Sequence, residues 1–445
     1  MMLVLKIILS ILLVLLFVVM NFIMILFERN KPKSLIIWST IFLFTQILGY
    51  IAFGVYVLLH NKKKLSLLVK EKEDYIYTTL VSNKLNVKNV NVSDDLLEFN
   101  QMVYSAKSTL NNSYEFFNNY EKFKENLIKD LKTATDYIFM ELNKFDSLDF
   151  EAIKSVLINK AKDGLTVRIS MESGLNRKLK KELRDAGVKV YKFSKIKLMD
   201  KCYSNIRNII SIDGEIVYVG NFLSKKQIKI KNEISNLFIK FKGEVVEGLD
   251  LLVRTDLAFS SNKYIEYSDK EKEKVEAEAL IQCVNNSVNN NLELMLIKAI
   301  CEAKKSILLQ LDSFIPSDNV LSLLKYAITS NKDVKLIVSI KGNSYNNYAS
   351  RAFSKDLALA GANVYLYDGY INYNSITIDN EYVLCGSYSL NKNILVNSLQ
   401  NVIIIKDEKA VNYFNKLFDV SINNSYRIND AKLMLKKEKI FKNLS

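Results

Sequence analysis

Where this sequence repeats itself it holds no histidine, the side chain best suited to carry a proton near neutral pH. The single histidine, His60, closes an apolar stretch and reads as a solvated residue at its boundary. The four cysteines, Cys202, Cys283, Cys301 and Cys385, show no CxxC spacing and no histidine beside them, so neither a zinc site nor a disulfide framework is indicated. They are expected to be reduced and mostly buried. What does recur is an amide and a carboxylate. Residues 208–220 match 374–386, which sets Asn208 against Asn374 and Asp213 against Asp379, with each aspartate at a tight hairpin turn before Gly214 or Asn380. A neutral amide can hydrogen-bond a phosphate oxygen, but it is no nucleophile at neutral pH and brings no charge. An aspartate opening such a turn accepts backbone N–H groups whether or not chemistry happens nearby. No pattern for a cofactor or metal is present, so none is expected.

These positions belong to a larger duplication. Residues 127–142 match 296–311, 164–170 match 333–339, and 183–191 match 357–365, in the same order and at nearly constant offset. Each half reads as helix, buried strand, helix, buried strand, then hairpin. Continuous apolar strands alternating with helices imply an α/β class, a mixed sheet with helices on both faces. The expected organisation is a first domain over 114–264, a linker over 265–290 and a second domain over 291–445, the two domains packing with pseudo-twofold symmetry.

Ahead of them lie two charge-free apolar stretches, 7–27 and 35–59, each long enough to cross a ~30 Å hydrocarbon core. They predict a transmembrane helical hairpin over 1–60, followed by a linker over 61–113 with a short helix near 95–107. The first stretch is too long for a signal peptide and runs into Glu28-Arg29 rather than a small-residue cleavage site. Lysines are denser after the second stretch, at Lys62, Lys63 and Lys64, than in the turn, which places the large domain in the cytoplasm of a multi-pass membrane protein. With a net charge of +14 the surface should be drawn to polyanions. The lysine-rich stretch 432–442 reads as a surface helix, and the asparagine-rich run 285–291 as solvated surface.

Several residues give the order of blocks a family resemblance: Glu28-Arg29 with Pro32, Trp38, Gly49-Tyr50 and Gly54 in the amino-terminal module, and Ser313-Phe314-Ile315-Pro316-Ser317-Asp318 opening the second half. Together they resemble bacterial cardiolipin synthases of the phospholipase D superfamily, over nearly the whole chain. The resemblance implies two phospholipase D-like domains and one HxKxxxxD motif in each. In that motif, residues two apart on a strand point together into a cleft. One histidine attacks phosphorus, the other protonates the leaving alcohol, and the lysines hold the phosphoryl oxygens.

Carried onto this sequence, the first frame runs from Ile206 through Asn208 to Asp213, and the second from Asn372 through Asn374 to Asp379. Both histidines and both lysines are gone and only the aspartates remain. The family's following asparagines are replaced by Leu223 and Ser389, and its late glutamate by Gln400. Losing one general acid typically costs 10²–10⁴-fold, so losing nucleophile, acid and both cations leaves no catalytic set intact. The resemblance therefore implies an inactive cardiolipin-synthase-like protein that binds anionic phospholipid, with Asn208, Asn372 and Asn374 as headgroup contacts, or that modulates an active synthase by associating with it. An alternative is an active phosphatidyltransferase, making cardiolipin from phosphatidylglycerol with relocated groups. A nucleic-acid-binding member is the remaining alternative; without a reading motif, no nucleic acid is expected as partner.

Overall fold

The computed structural model describes residues 14–25, 32–45, 47–60, 90, 93–143, 150–172, 177–193, 204–221, 234–261, 263, 265, 275, 277–286, 291–339 and 345–428. The chain divides into one unit over Met1–Val69 and a larger one over Lys70–Ser445.

In the first unit, residues 14–25 are helical, followed by α1 (Pro32–Thr45) and α2 (Ile47–His60). Pro32 opens α1, where its missing N–H costs nothing. Met24, Phe42 and Phe53 are buried together, and Trp38 lies edge-on to Phe53 at 5.1 Å. The opposite faces remain apolar and exposed, as at Ile36, Leu43, Phe44 and Leu48. Among the described residues no helix is long and apolar enough to cross a membrane. The stretch 35–59, expected as one span, is described as two helices of 14 residues each, about 21 Å apiece at 1.5 Å per residue. Gln46, between them, lies outside the described residues.

The second unit opens with α3 (Asp95–Tyr104), capped by Asp94, which accepts from the Leu96 and Leu97 N–H groups at 3.2 Å. The first half then contains β1 (Ser108–Thr109), β2 (Asn112–Phe117), α4 (Tyr120–Thr133), β3 (Tyr137–Leu142), α5 (Phe150–Lys162), β4 (Thr166–Met171), α6 (Arg177–Asp185), β5 (Lys189–Lys192), β6 (Ser204–Asn205), β7 (Ile209–Ile212), β8 (Ile216–Gly220), β9 (Ile234–Ser235), β10 (Phe238–Gly243) and α7 (Val245–Ser261). The second half contains β11 (Leu280–Asn285), α8 (Glu293–Glu302), β12 (Ser306–Leu311), β13 (Phe314–Ile315), α9 (Asp318–Thr329), β14 (Asp333–Ser339), α10 (Tyr345–Leu359), β15 (Asn363–Tyr367), β16 (Tyr370–Ile371), β17 (Asn374–Ile378), β18 (Tyr382–Gly386), β19 (Leu390–Asn391), α11 (Lys392–Asn397), β20 (Ser398–Leu399), β21 (Asn401–Lys406), α12 (Glu408–Asn423) and β22 (Ser425–Arg427).

The two halves build the same sheet. The first orders its strands β2-β10-β8-β7-β3-β4-β5. The second orders them β11-β21-β18-β17-β12-β14-β15, with β1 and β22 added at the edges. In each, three strands run parallel (β3-β4-β5 and β12-β14-β15) and the others pair antiparallel, giving a mixed sheet. The mixed α/β class matches the alternation in the sequence. Stretches expected as linkers contribute strands: β1 from 61–113 pairs with β11 from 265–290. Their short, partly polar runs lack the alternation that marks a longer strand.

The halves share one core cluster, with Phe139, Ile209 and Val253 from the first and Ile337, Ile403 and Phe414 from the second. Two short parallel pairs also cross between them, β6 with β20 and β9 with β16. Of the cysteines, Cys385 is buried, Cys283 is half-buried and Cys301 is exposed, all three free, so burial does not hold for Cys301, which lies on the outer side of α8. Cys202, Leu223 and the stretch 432–442 lie outside the described residues.

Candidate functional site

Each motif frame leads into the first strand of a hairpin, with Ile206, Asn208 and Asn372 just ahead of β7 or β17 and Asn374 at the start of β17, and the hairpin turns determine where its aspartate points. Asp213 and Gly214 have φ of 53° and 68°, and Asp379 and Asn380 have 54° and 57°, the doubly left-handed turn that a two-residue hairpin favours. Folded this way, the Asp213 carboxylate accepts from the Thr135, Asp136 and Tyr137 N–H groups at 2.7, 2.9 and 2.8 Å. Asp379 does the same with Lys304, Lys305 and Ser306 at 2.6, 2.6 and 2.8 Å. Both aspartates therefore clamp the start of the neighbouring strand, β3 or β12, at the end of the hairpin away from the amides.

The asparagines at the other end are equally matched. Asn208 Oδ1 accepts the Asn143 N–H at 3.0 Å just past β3, and Asn374 Oδ1 accepts the Asp312 N–H at 2.8 Å just past β12. Asn208 Nδ2 donates to the Ile206 carbonyl at 3.0 Å and to Asn221 Oδ1 at 2.8 Å. Asn374 Nδ2 donates to the Tyr388 carbonyl at 2.5 Å. Asn372 Nδ2 donates to the Asn221 carbonyl at 2.8 Å and to Asn236 Oδ1 at 3.2 Å, while Asn221 Nδ2 returns a bond to the Asn372 carbonyl at 3.1 Å. The frames are thus brought together, Asn208 reaching Asn372 through Asn221. Ile206, half-buried, adds only its backbone, its N–H donating to the Leu399 carbonyl at 3.1 Å.

Beside this amide chain lies a charged network that the motif positions do not predict. Arg207 is 1% exposed and Asp256, on α7, is 0% exposed. The guanidinium donates to both Asp256 oxygens at 3.1 and 2.9 Å, and also to the Gln400 and Asn286 carbonyls of the second half at 3.2 and 2.6 Å. Asn205 Nδ2 donates to Glu141 and, at 3.1 Å, to Asp256. Burial pushes the Glu172 carboxyl up, an effect that the Asn205 N–H and the Lys192 ammonium partly offset. Asn286, read as solvated surface within an asparagine-rich run, is instead buried: its amide donates to the Ser398 carbonyl at 2.7 Å and accepts the Gln400 N–H at 2.6 Å. A run of polar residues carries no mark of which member turns inward. In the second half Tyr373 stands where Arg207 does, and Gln310 stands where Glu141 does, bonded to Ser421 of α12 at 2.7 Å.

The remaining expected positions are structural as well. Ser389 donates its N–H to Gln400 Oε1 at 2.9 Å, and Gln400 Nε2 donates to the Ile394 carbonyl at 3.1 Å. Among the described residues, no group of three His, Cys, Asp or Glu is arranged to hold a metal ion.

Residues 296–421 match the family model described as "Cardiolipin synthase, PLD-like domain". A cardiolipin synthase 1 from Staphylococcus epidermidis is 27% identical over 442 residues, covering 92% of this chain and 90% of the relative. The major cardiolipin synthase of Bacillus subtilis is 27% identical, covering 82% of each. The chain is similar to cardiolipin synthases of the phospholipase D family over most of its length. Among solved structures, the phosphatidylserine synthase of Haemophilus influenzae superposes with a TM-score of 0.59 at 11% identity, over 79% of this chain and 97% of that one, a likeness of fold.

Within the cardiolipin synthase family frame, Arg207 falls between the positions of histidine and lysine, and Asn236 and Gln400 are counterparts, each following one of the crossing strands β9 and β20. Sequence reading missed Arg207, Asn221, Asn236 and Asp256. Alignment of the two halves past the hairpins would have paired Asn236 with Gln400. The Arg207–Asp256 pairing has no spacing signal, because 49 residues separate the partners.

Proposed function

We propose that this cardiolipin-synthase-like protein is catalytically silent, is anchored in the cell membrane as two duplicated halves of pseudo-twofold symmetry facing the cytoplasm, and binds anionic phospholipid or modulates an active synthase there. The observation that carries this is the Asn208–Asn221–Asn372 chain. Where the family chemistry requires a nucleophile, an acid and two cations, this chain has Ile206 and three amides, and Asn208 and Asn372 each commit both N–H donors inside the protein. A headgroup reaching Asn208, Asn372 or Asn374 has to compete with those bonds. Anchoring is supported by the exposed apolar faces of residues 14–25, α1 and α2, a surface too extensive to be left in water. Full-length protein expressed in a bacterial host lacking its own cardiolipin synthases tests the proposal, with lipids quantified by mass spectrometry and an active family member as control. No new cardiolipin is expected; its accumulation would overturn catalytic silence.

One observation favours the active alternative. Asp312, whose N–H meets Asn374, is crowded by protein, which pushes its carboxyl up to about 6, within reach of acid–base work at neutral pH. Water reaching the exposed side chain limits that rise. If cardiolipin does accumulate, Asp312→Asn in the same host decides whether this carboxyl takes part.

A further inference from the structure

The helix α6 differs from its counterpart in a way the duplication does not require. It lies between β4 and β5 as α10 lies between β14 and β15. Leu183 is fully buried in the first-half core, with Leu179 one turn earlier packed against the same cluster. These two leucines account for the packing of α6. The rest of the helix carries Arg177, Lys178, Lys180, Lys181 and Arg184 against Glu182 and Asp185. At 100° per residue, Lys181 faces directly away from the leucine stripe, with Arg177 and Asp185 about 40° to either side of it and Lys178 and Arg184 about 60° to either side. Arg177, Lys178, Lys181 and Arg184 are exposed.

Asp185 is the one acid on this face, set against the four cations Arg177, Lys178, Lys181 and Arg184. Glu182 is engaged by Lys154 of α5 at 3.0 Å. Among the described residues, no carboxylate pairs with Lys178, Lys180 or Lys181. Lys189 on the edge strand β5 adds an exposed cation beyond the end of α6. In α10, by contrast, a helix of 15 residues carries only Arg351 and Lys355 against Asp356. Two helices with the same place in the same sheet thus meet the same packing need with different surfaces. The surplus positive charge on α6 is not needed for folding.

We propose that the outward face of α6 is a docking surface for the anionic headgroups of a phospholipid bilayer. This rests on and deepens the proposal that the protein acts at an anionic membrane. A face with four cations and one acid on one helix carries a net positive charge that suits a planar layer of phosphates. Single-stranded nucleic acid would call for aromatic side chains interleaved with the cations to stack on bases, and α6 has none.

The experiment is hydrogen–deuterium exchange on the full chain in lipid nanodiscs, either phosphatidylcholine alone or phosphatidylcholine with phosphatidylglycerol. The expected result is severalfold slower exchange across 177–185 in the anionic discs only. The slowing is lost at about 0.5 M salt, where screening is strong, and lost in an Arg177→Gln/Lys178→Gln/Lys181→Gln variant. Glutamine keeps helix propensity and leaves Leu179 and Leu183 in place, and an unchanged Tm verifies folding. Equal exchange in both compositions across 177–185, with protection elsewhere in the anionic discs, overturns the α6 assignment but leaves the anionic-membrane proposal standing. No dependence on composition anywhere in the chain overturns both. Protection of α6 by an added oligonucleotide but not by lipid assigns the surface to nucleic acid and overturns the bilayer assignment.

Discussion

Arg207 Nη1 lies 2.9 Å from Asp256 Oδ2, and the same guanidinium donates across the boundary between the halves to Gln400 and Asn286. One side chain therefore neutralises a buried carboxylate of the first half and satisfies two carbonyls of the second. Removing the acid takes away the carboxylate that this desolvated guanidinium meets with two hydrogen bonds. Asp256→Asn is expected to cost about 3–5 kcal/mol, read by urea unfolding of the purified chain. Replacing both residues by apolar ones of similar volume should cost less, since it removes the charges together. A single-variant loss under about 1 kcal/mol would show that the pair does not hold the halves.

Asp213 and Asp379 are predicted to be structural rather than reactive. Each accepts three backbone N–H groups, so alanine at either position should lower stability by about 1–3 kcal/mol through unsatisfied donors. The lipid profile of a host expressing either variant should match that of the parent chain. A change in lipid output without loss of Tm would contradict this.

Restoring the family cations should not restore activity. Asn208 Oδ1 is the acceptor for the Asn143 N–H, and Asn374 Oδ1 for that of Asp312. Lysine at either position has no acceptor, so Asn208→Lys and Asn374→Lys should each lose about 1–3 kcal/mol. Adding Ile206→His and Asn372→His to them should still yield no cardiolipin, because the amide chain that fills the site has been broken rather than reopened in register. Cardiolipin made by the fourfold variant would show that the scaffold still forms a competent cleft.

Two carboxyls should give opposite pH dependences. Burial alone would raise Asp94, but Lys406 at 2.7 Å, the Tyr382 hydroxyl and the Leu97 N–H hold it below the ordinary carboxylate range. Its contribution is complete above that ordinary range and is lost as pH falls through the lowered value. Asp94→Asn should therefore blunt acid destabilisation and loosen α3, which Asp94 caps. Asp312 is pushed up instead, so its contribution is complete below about 3.8 and is lost as pH rises towards about 6. Asp312→Asn should remove a fall in Tm across that window, measured from about pH 4 to about pH 7. Parallel pH profiles for the two variants would contradict both assignments.

Set against the family motif, the frames hold neither histidine nor lysine; from its own residues the chain shows the duplication, the α/β class and the paired hairpins. These follow from residue type and from spacing within one element, as when Asp213 and Gly214 specify a left-handed turn. It also carried the apolar amino-terminal stretches, within which the structure describes the helices α1 and α2. Only the tertiary structure decided what occupies the emptied frames. Asn372 meets Asn221 across 151 residues of chain, and Asn286 meets Gln400 across 114. Arg207 finds Asp256 because α7 lies beneath the first sheet and β6 crosses to β20. Hydrogen bonds and ion pairs of this kind depend on distances set by the packing of whole elements. No local pattern of residues encodes them.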